Sequence, residues 1–172
     1  MAKSARAKSR TASTKGVPKR VTRKPATKTA KAKASKTPVR STRTGGFVFT
    51  SLTPGFTVND AVASVAWYTD VLGFSVKERW ELEGKFLGAE MTNGTVTLNL
   101  GQDDWQKGRD RNKGQGVRMY ITTGPDIDGF AAQVKERGAT LDSEPTDEWG
   151  VRAFSLTDPD GYKLTFMTPL KK

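Results

Sequence analysis

The chain has 172 residues, of which 29 are Lys or Arg and 18 are Asp or Glu, giving a formal net charge of +11. It contains no cysteine and no histidine, which excludes disulfides, thiolate chemistry, the usual general base and the commonest metal ligand. No apolar run approaches the roughly 20 residues of a membrane-spanning helix, and the N-terminal segment lacks the apolar core of a secretory signal.

The positive charge is concentrated at the N-terminus. Residues 1–45 hold fifteen Lys or Arg and no acid, so the remainder carries 29 − 15 = 14 basic against 18 acidic residues, a net of −4. This segment consists mainly of Lys, Arg, Ala, Ser, Thr and Pro, which bury too little apolar surface to offset the entropy of ordering. We therefore expect a disordered basic tail over residues 1–46 and a folded domain over residues 47–172.

Three functions remain open for the tail. The first is non-specific nucleic-acid binding, because a flexible polycation releases counterions from phosphates, and the composition resembles the tails of linker histones and some bacterial nucleoid proteins. The second is an organelle transit peptide, and the third is a solvated extension without a dedicated partner. The candidate nucleic-acid-binding residues are Lys19, Arg20, Arg23, Lys24, Lys28, Lys31, Lys33 and Lys36.

Periodic apolar residues begin after the glycine pair at 45–46. They predict a strand over 51–58, a helix over 60–72, and strands over 74–81, 86–92 and 95–100. The helix has a start signal at Asn59-Asp60 and a stop signal at Gly73. Asn93-Gly94 between two alternating runs is typical of a hairpin turn.

The second half of the domain repeats this plan. It predicts a strand over 117–122, a helix over 126–137 ending at Gly138, a short strand near Thr140, and a hairpin through Asp160-Gly161. The segments MTNGTVTLNL and LTDPDGYKLTFM correspond at a spacing of about 65 residues. We therefore predict an α+β fold: two tandem βαβββ units that form a curved mixed sheet with a concave cleft, a natural site for a small molecule.

Residues 47–170 resemble the glyoxalase/bleomycin resistance/extradiol dioxygenase superfamily, whose members are also called vicinal oxygen chelate proteins. The resemblance is carried by FTVNDAVASVAWYTDVLGF, by EWGVRAFSLTDPDGYKLTFM and by the duplicated order between them. It implies the fold but not the activity, because this superfamily contains isomerases, oxygenases, transferases and drug-binding proteins.

The resemblance also implies positions for metal ligands on the first and fourth strands of each unit. Those positions fall at Thr53, Asn99, the segment 115–118 and Thr165. None of them holds an anionic or imidazole ligand, which Mg²⁺, Fe²⁺ and Zn²⁺ require, so we expect no metal and no other cofactor. Glu81 and Glu90 could act as bases if buried, although solvated strand positions are the simpler interpretation.

A metal-free cleft favours binding over catalysis. The tryptophans at cleft rims could stack on an aromatic ligand or contact a cationic one, and two of them, Trp105 and Trp149, stand beside acidic pairs. The candidate ligand-binding residues are Trp80, Asn99, Trp105, Arg118, Tyr120, Trp149, Arg152 and Thr165. Each also has a structural interpretation as a core or sheet-face residue.

The sequence hypothesis is a metal-independent, cytoplasmic binding protein of the bleomycin-resistance type for an aromatic or cationic, antibiotic-like molecule. Relatives of this kind commonly dimerise, so the resemblance implies a homodimer, and the tail suggests association with the nucleoid. Two alternatives stay open: a glyoxalase-like lyase or isomerase, and a nucleoid-associated protein that uses the domain for dimerisation.

Overall fold

The computed structural model describes residues 50–109 and 111–171 of the chain. The predicted basic tail, with its candidate nucleic-acid-binding residues, lies outside the described residues. Within the described ranges, no helix is both long and apolar enough to cross a membrane.

The first unit follows the helix and turn signals of its sequence. Its elements are β1 (Gly55–Val58), α1 (Ala61–Asp70), β2 (Ser75–Leu82), β3 (Lys85–Asn93) and β4 (Val96–Gln102). The Asp60 side chain accepts a hydrogen bond from the Ala63 N–H and so caps α1. Gly73, with a φ of 73°, follows the helix in a left-handed conformation that glycine adopts without strain. The strand order is β1-β4-β3-β2, with β1 parallel to β4.

The second unit has the same plan. Its elements are β5 (Arg118–Thr122), α2 (Ile127–Glu136), β6 (Leu141–Glu148), β7 (Val151–Thr157) and β8 (Lys163–Pro169). Asp126 caps α2 by accepting from the Gly129 N–H, and the strand order is β5-β8-β7-β6 with β5 parallel to β8. The predicted α+β class with two tandem βαβββ units is confirmed, and the strands hydrogen-bond as two four-stranded sheets.

Two strand lengths differ from the sequence expectation. β1 begins at Gly55 rather than at residue 51, since Pro54 has no N–H to donate to a ladder. β6 covers eight residues rather than a short stretch near Thr140. It is the edge strand of its sheet, where Pro145 is tolerated and apolar alternation is not required, so a hydrophobic pattern alone underestimates it.

The register makes corresponding residues of the two units explicit. Asn99 pairs with Gly55 on β1, and Thr165 pairs with Tyr120 on β5. Asn99 and Thr165 therefore occupy equivalent places, as do Gly55 and Tyr120. Because the two registers match, every residue of β1 and β4 has an equivalent on β5 and β8. Contacts between the units can therefore be compared position by position.

Each sheet buries one face against its own helix and leaves the other uncovered by a helix; we call the uncovered side the open face. Alternate residues such as Phe56, Leu100, Phe154, Leu164 and Phe166 are buried on the helix side, and they belong to one hydrophobic cluster that includes residues from both units. The intervening residues of the same strands point to the open face. The core thus fixes which side chains are free to contact a ligand.

One contact between the units is made by Tyr162 and Phe56; we call it the first junction. The two rings stack with centroids 4.2 Å apart and an interplanar angle of 8°. The Tyr162 hydroxyl also accepts from the Thr57 N–H and donates to the Thr57 carbonyl, both at 3.1 Å.

Close to the first junction lies a buried carboxylate, Asp158, to which the buried Tyr68 hydroxyl donates at 2.8 Å. Burial raises the pKa of Asp158, although Tyr162 N–H and Tyr68 donate to its carboxylate.

Ion pairs hold the linker between β4 and β5 in place. The buried carboxylate of Asp103 forms ion pairs with Arg111 at 2.7 Å and with Lys113 at 3.0 Å. The Lys113 Nζ also lies 3.7 Å from the Asp160 carboxylate. Burial alone would raise the pKa of Asp103, but the hydrogen bonds from Arg111 and Lys113 outweigh it and hold that pKa well below its usual range. These pairs connect the linker to the turn before β8 and so stabilise the arrangement of the two units.

Candidate functional site

The open face of the second sheet carries a cavity of about 320 Å³, which we call the sheet cavity. Its floor is formed by side chains of adjacent strands: Tyr120 on β5, Thr165 on β8, and Ala153 and Ser155 on β7. The volume lies at the small end of the roughly 300–1,000 Å³ that is usual for ligand pockets. The floor offers small hydroxyls and one aromatic ring, and Tyr120 is 64% exposed.

The far wall of the sheet cavity is held by two serines. The hydroxyls of Ser143 and Ser155 lie 2.8 Å apart, and the Ser155 N–H donates to the Ser143 oxygen at 3.0 Å. The register between β6 and β7 shifts on both sides of Ser143. Such irregularities bend an edge strand, and this one makes a side wall for the cavity.

Trp149 forms the rim of the sheet cavity and is 98% exposed. It occupies the two-residue turn between β6 and β7, where Trp149 has a φ of 53° and Gly150 a φ of 84°. Two successive positive φ values are typical of the hairpin turns that match strand twist, and a large aromatic residue is an unusual occupant of the first position. The turn holds the indole out in solvent beside the cavity.

The opposite end of the open face is basic. Arg118 and Lys163 are register partners on β5 and β8, two residues along from Tyr120 and Thr165 and on the same face. They line a second depression of about 720 Å³ together with the segment 113–117. Neither has an ion-pair partner among residues 50–109 and 111–171. Glu148 lines the sheet cavity beside Trp149, so the two ends of this face carry opposite charge.

The positions that would hold a metal by resemblance do not provide a fitting set of donors. They present the hydroxyls of Thr53 and Thr165, the amide of Asn99 and, from the segment 115–118, the guanidinium of Arg118, which the register makes the equivalent of Thr53. A cation would be repelled by Arg118, and neutral oxygens alone do not make a site for Mg²⁺, Fe²⁺ or Zn²⁺. In the described part of the chain, no three Asp or Glu side chains lie close enough together to hold a metal ion.

The first sheet holds a buried polar atom that lacks a hydrogen bond in the part of the chain that the structure describes. The Asn99 Oδ1 is buried on the open face and has no hydrogen-bond partner within the described residues. Glu90, the register partner of Asn99 on β3, forms an ion pair with Lys77 at 2.7 Å. Glu81 forms an ion pair with Arg79 at 3.2 Å. Both candidate bases are therefore engaged with cations of β2.

The structure brings together only part of the predicted ligand set. Tyr120, Trp149 and Thr165 line the sheet cavity, and Arg118 lines the separate depression at the basic end of the same open face. Asn99 is on the other sheet, and Trp80 is on the edge strand β2 opposite Gly88. Neither of them is among the residues that line the sheet cavity.

The remaining two candidates are occupied by contacts of their own. The Trp105 ring lies under Arg109 at 4.6 Å and near Lys113 at 5.1 Å, in the linker. Arg152 binds Asp128 at 2.6 Å and Asp147 at 2.7 Å on the helix side of its sheet.

The sequence did not point to Ser143, Ala153, Ser155 and Met167 of the sheet cavity, or to Lys163 in the separate depression at the basic end of the open face. The signal that could have found four of them is strand alternation. Once Thr165 is placed on the open face of β8, Lys163 and Met167 follow by twos, and Ala153 and Ser155 follow from the register of β7.

Comparisons with known proteins agree with this architecture. The family model described as Glyoxalase/Bleomycin resistance protein/Dioxygenase superfamily matches residues 46–166. TioX from Micromonospora sp. ML1 superposes with a TM-score of 0.58 and 18% identity, covering 71% of this chain and 100% of its own. TnmS3 from Streptomyces sp. CB03234, described as an antibiotic binding protein, gives 0.56 and 19%, covering 72% and 100%.

A superfamily member from Sphaerobacter thermophilus DSM 20745 gives a TM-score of 0.55 and 24% identity, covering 69% of this chain and 98% of its own. At these identities the structural likeness establishes the fold alone. No curated protein sequence matches the chain.

Proposed function

Because the chain belongs to the Glyoxalase/Bleomycin resistance protein/Dioxygenase superfamily, we propose that it is a metal-independent binding protein for an aromatic, antibiotic-like small molecule. The observation that carries the proposal is Trp149, an indole that is 98% exposed at the rim of the sheet cavity. An exposed tryptophan lacks the free energy that burial of its ring would contribute. A ligand that stacks on the ring buries it and so gains that free energy for binding.

The shape and charge of the site define the ligand further. An aromatic body would lie between Trp149 and Tyr120, over the hydroxyls of Ser155 and Thr165. A cationic group fits beside Glu148 and the Trp149 ring, and a hydrogen-bond acceptor or anionic group fits at the basic end. The antibiotic-binding relative TnmS3 shares this fold and supports the choice of ligand class. A homodimer in which a second copy covers the open face would complete the site.

The experiment is a calorimetric titration of the full chain with bleomycin A2 and with doxorubicin, two drugs that join aromatic rings to cationic groups, in the presence of excess EDTA. We expect saturable binding of at least one drug that the chelator does not change. The Trp149→Ala variant should weaken that binding about tenfold, since stacking on one exposed ring contributes about 1–2 kcal/mol.

Trp67→Phe, a conservative change on α1 away from the sheet cavity, is the matched control and should bind as the wild type does. Binding that appears only when Ni²⁺, Zn²⁺ or Fe²⁺ is added would instead support the lyase or isomerase alternative.

We also propose that the basic tail tethers the domain to nucleic acid in the cytoplasm. Support comes from the fifteen cations and no acids of residues 1–45, against the net −4 of the rest. In gel shifts with a 30-base-pair duplex, affinity should fall about 10³-fold or more between 50 and 200 mM salt if six or more phosphates are neutralised. Deleting residues 1–45 should remove the shift, and binding that survives the deletion would contradict this proposal.

A further inference from the structure

A third cavity, of about 640 Å³, lies on the helix side of the sheets, between the two units. It is lined by the connection between α1 and β2, by the turn between β3 and β4, and by β5, α2 and the loop that joins them. We call it the junction cavity. It shares no lining residue with the sheet cavity, so occupation of one does not require the other.

The duplicated fold explains why this cavity is open. Counting three residues back from Asn99 and Thr165 makes Val96 the equivalent of Tyr162, and the register makes Ile121 the equivalent of Phe56. Tyr162 and Phe56 stack and close the first junction. At the second junction the shorter Val96 and Ile121 stand in their places, and the space is not filled.

The walls of the junction cavity are chemically divided. The floor is apolar and partly aromatic: Phe74 is buried, Phe130 is half-buried, and Phe130 meets Phe166 edge-on with centroids 5.1 Å apart. At the α2 C-terminal end, Arg137 donates to the Val71 carbonyl at 3.4 Å. It makes no ion pair within the described ranges.

Two more polar groups adjoin Arg137 along this wall. The amides of Gln133 and Asn93 line the same cavity, and Asn93 is held in place by donating to the Gly73 carbonyl at 3.0 Å. Among the described residues, Asp126 is the only acid in the lining; it stands at the other end of α2 and caps that helix by accepting from the Gly129 N–H. The charge available to a ligand is therefore positive and lies at one end of an aromatic floor.

We propose that the junction cavity is a second binding site, specific for small aromatic carboxylates. The ring of such a ligand packs on Phe130 and Phe74, and its carboxylate accepts hydrogen bonds from the Arg137 guanidinium. Arg forms paired hydrogen bonds with planar carboxylates, which are stronger than bonds between neutral groups. This site goes beyond the proposed function, because it lies on the helix side of the sheets and shares no lining residue with the sheet cavity.

The test uses 2-naphthoate and, as a neutral analogue of the same shape, 2-naphthalenemethanol. The full chain is titrated with each probe and followed by ¹H–¹⁵N NMR. We expect saturable shifts for 2-naphthoate at Gly94, Gly124 and Phe130, all of which line the junction cavity. Arg137→Gln should weaken 2-naphthoate binding about tenfold or more and leave the alcohol unchanged, because only the charged pair is lost.

Two further variants separate this site from others. Val96→Tyr, which copies the filled junction, should abolish binding of both probes, whereas Thr165→Trp in the sheet cavity should change neither affinity. The tail also attracts anions, but it is intact in every variant and does not contribute to the differences. Absence of saturable shifts up to 10 mM probe, or 2-naphthoate affinity unchanged by Arg137→Gln, would overturn the proposal; the second result decides even if Val96→Tyr does not fold.

Discussion

Replacing Thr165 by Trp should abolish drug binding without unfolding the domain. Thr165 lies on the floor of the sheet cavity with its side chain on the open face, so a larger side chain enters the cavity of about 320 Å³ and not the core. An indole there would take the space of the ligand ring over Tyr120. We expect a loss of about 100-fold or more in affinity for whichever drug binds the wild type, on the scale of a binding hot spot.

The matched variant for this prediction is Thr165→Ser, which keeps the hydroxyl and enlarges the cavity slightly. It should retain wild-type affinity within about threefold, a difference of about 0.7 kcal/mol. Thermal unfolding should show Thr165→Trp within a few degrees of the wild type. Undiminished drug binding by a folded Thr165→Trp protein would place the drug elsewhere.

Replacing Tyr162 by Ala should give the largest loss of stability among the changes considered. The ring stacks on Phe56, and its hydroxyl satisfies both the N–H and the carbonyl of Thr57. Removing it opens the first junction and leaves those backbone groups without their partner. We expect a decrease of about 3 kcal/mol in the free energy of unfolding, measured by urea denaturation.

The duplicated fold supplies the control at the equivalent position. Val96→Ala should lower the free energy of unfolding by about 1 kcal/mol or less, since the junction cavity already leaves that side chain without close packing on one side. Tyr162→Phe should fall between the two, because the stacked ring is kept and only the hydroxyl contacts are lost. Equal losses for Tyr162→Ala and Val96→Ala would show that the two junctions do not differ as described.

The fold was predictable because its signals are local and occur twice. Asp60 and Asp126 each precede a helix, glycines end both helices, and Asn93-Gly94 marks a hairpin. These features depend on backbone geometry within a few residues. The length of β6 was not predictable in this way, because an edge strand lacks the apolar alternation that reveals buried strands.

The site was predictable only in part. Tyr120 and Thr165 follow from alternation once the register is known, and Trp149 follows from its place in a turn. Arg152 was not predictable in this way. Alternation along β7 places its side chain on the helix side, where it pairs with Asp128 of α2, and no local sequence pattern predicts that contact. Trp105 is likewise covered by Arg109, which only the folding of the linker brings over the ring.

The proposed ligand lies on the open face of the second sheet and binds without a metal. This position can be mapped by ¹H–¹⁵N NMR of the full chain with saturating bleomycin A2 or doxorubicin and excess EDTA. We expect the largest shifts at Tyr120, Ser155, Thr165 and the Trp149 indole N–H. Shifts confined to other parts of the chain, or no shift with either drug at millimolar concentration, would contradict it.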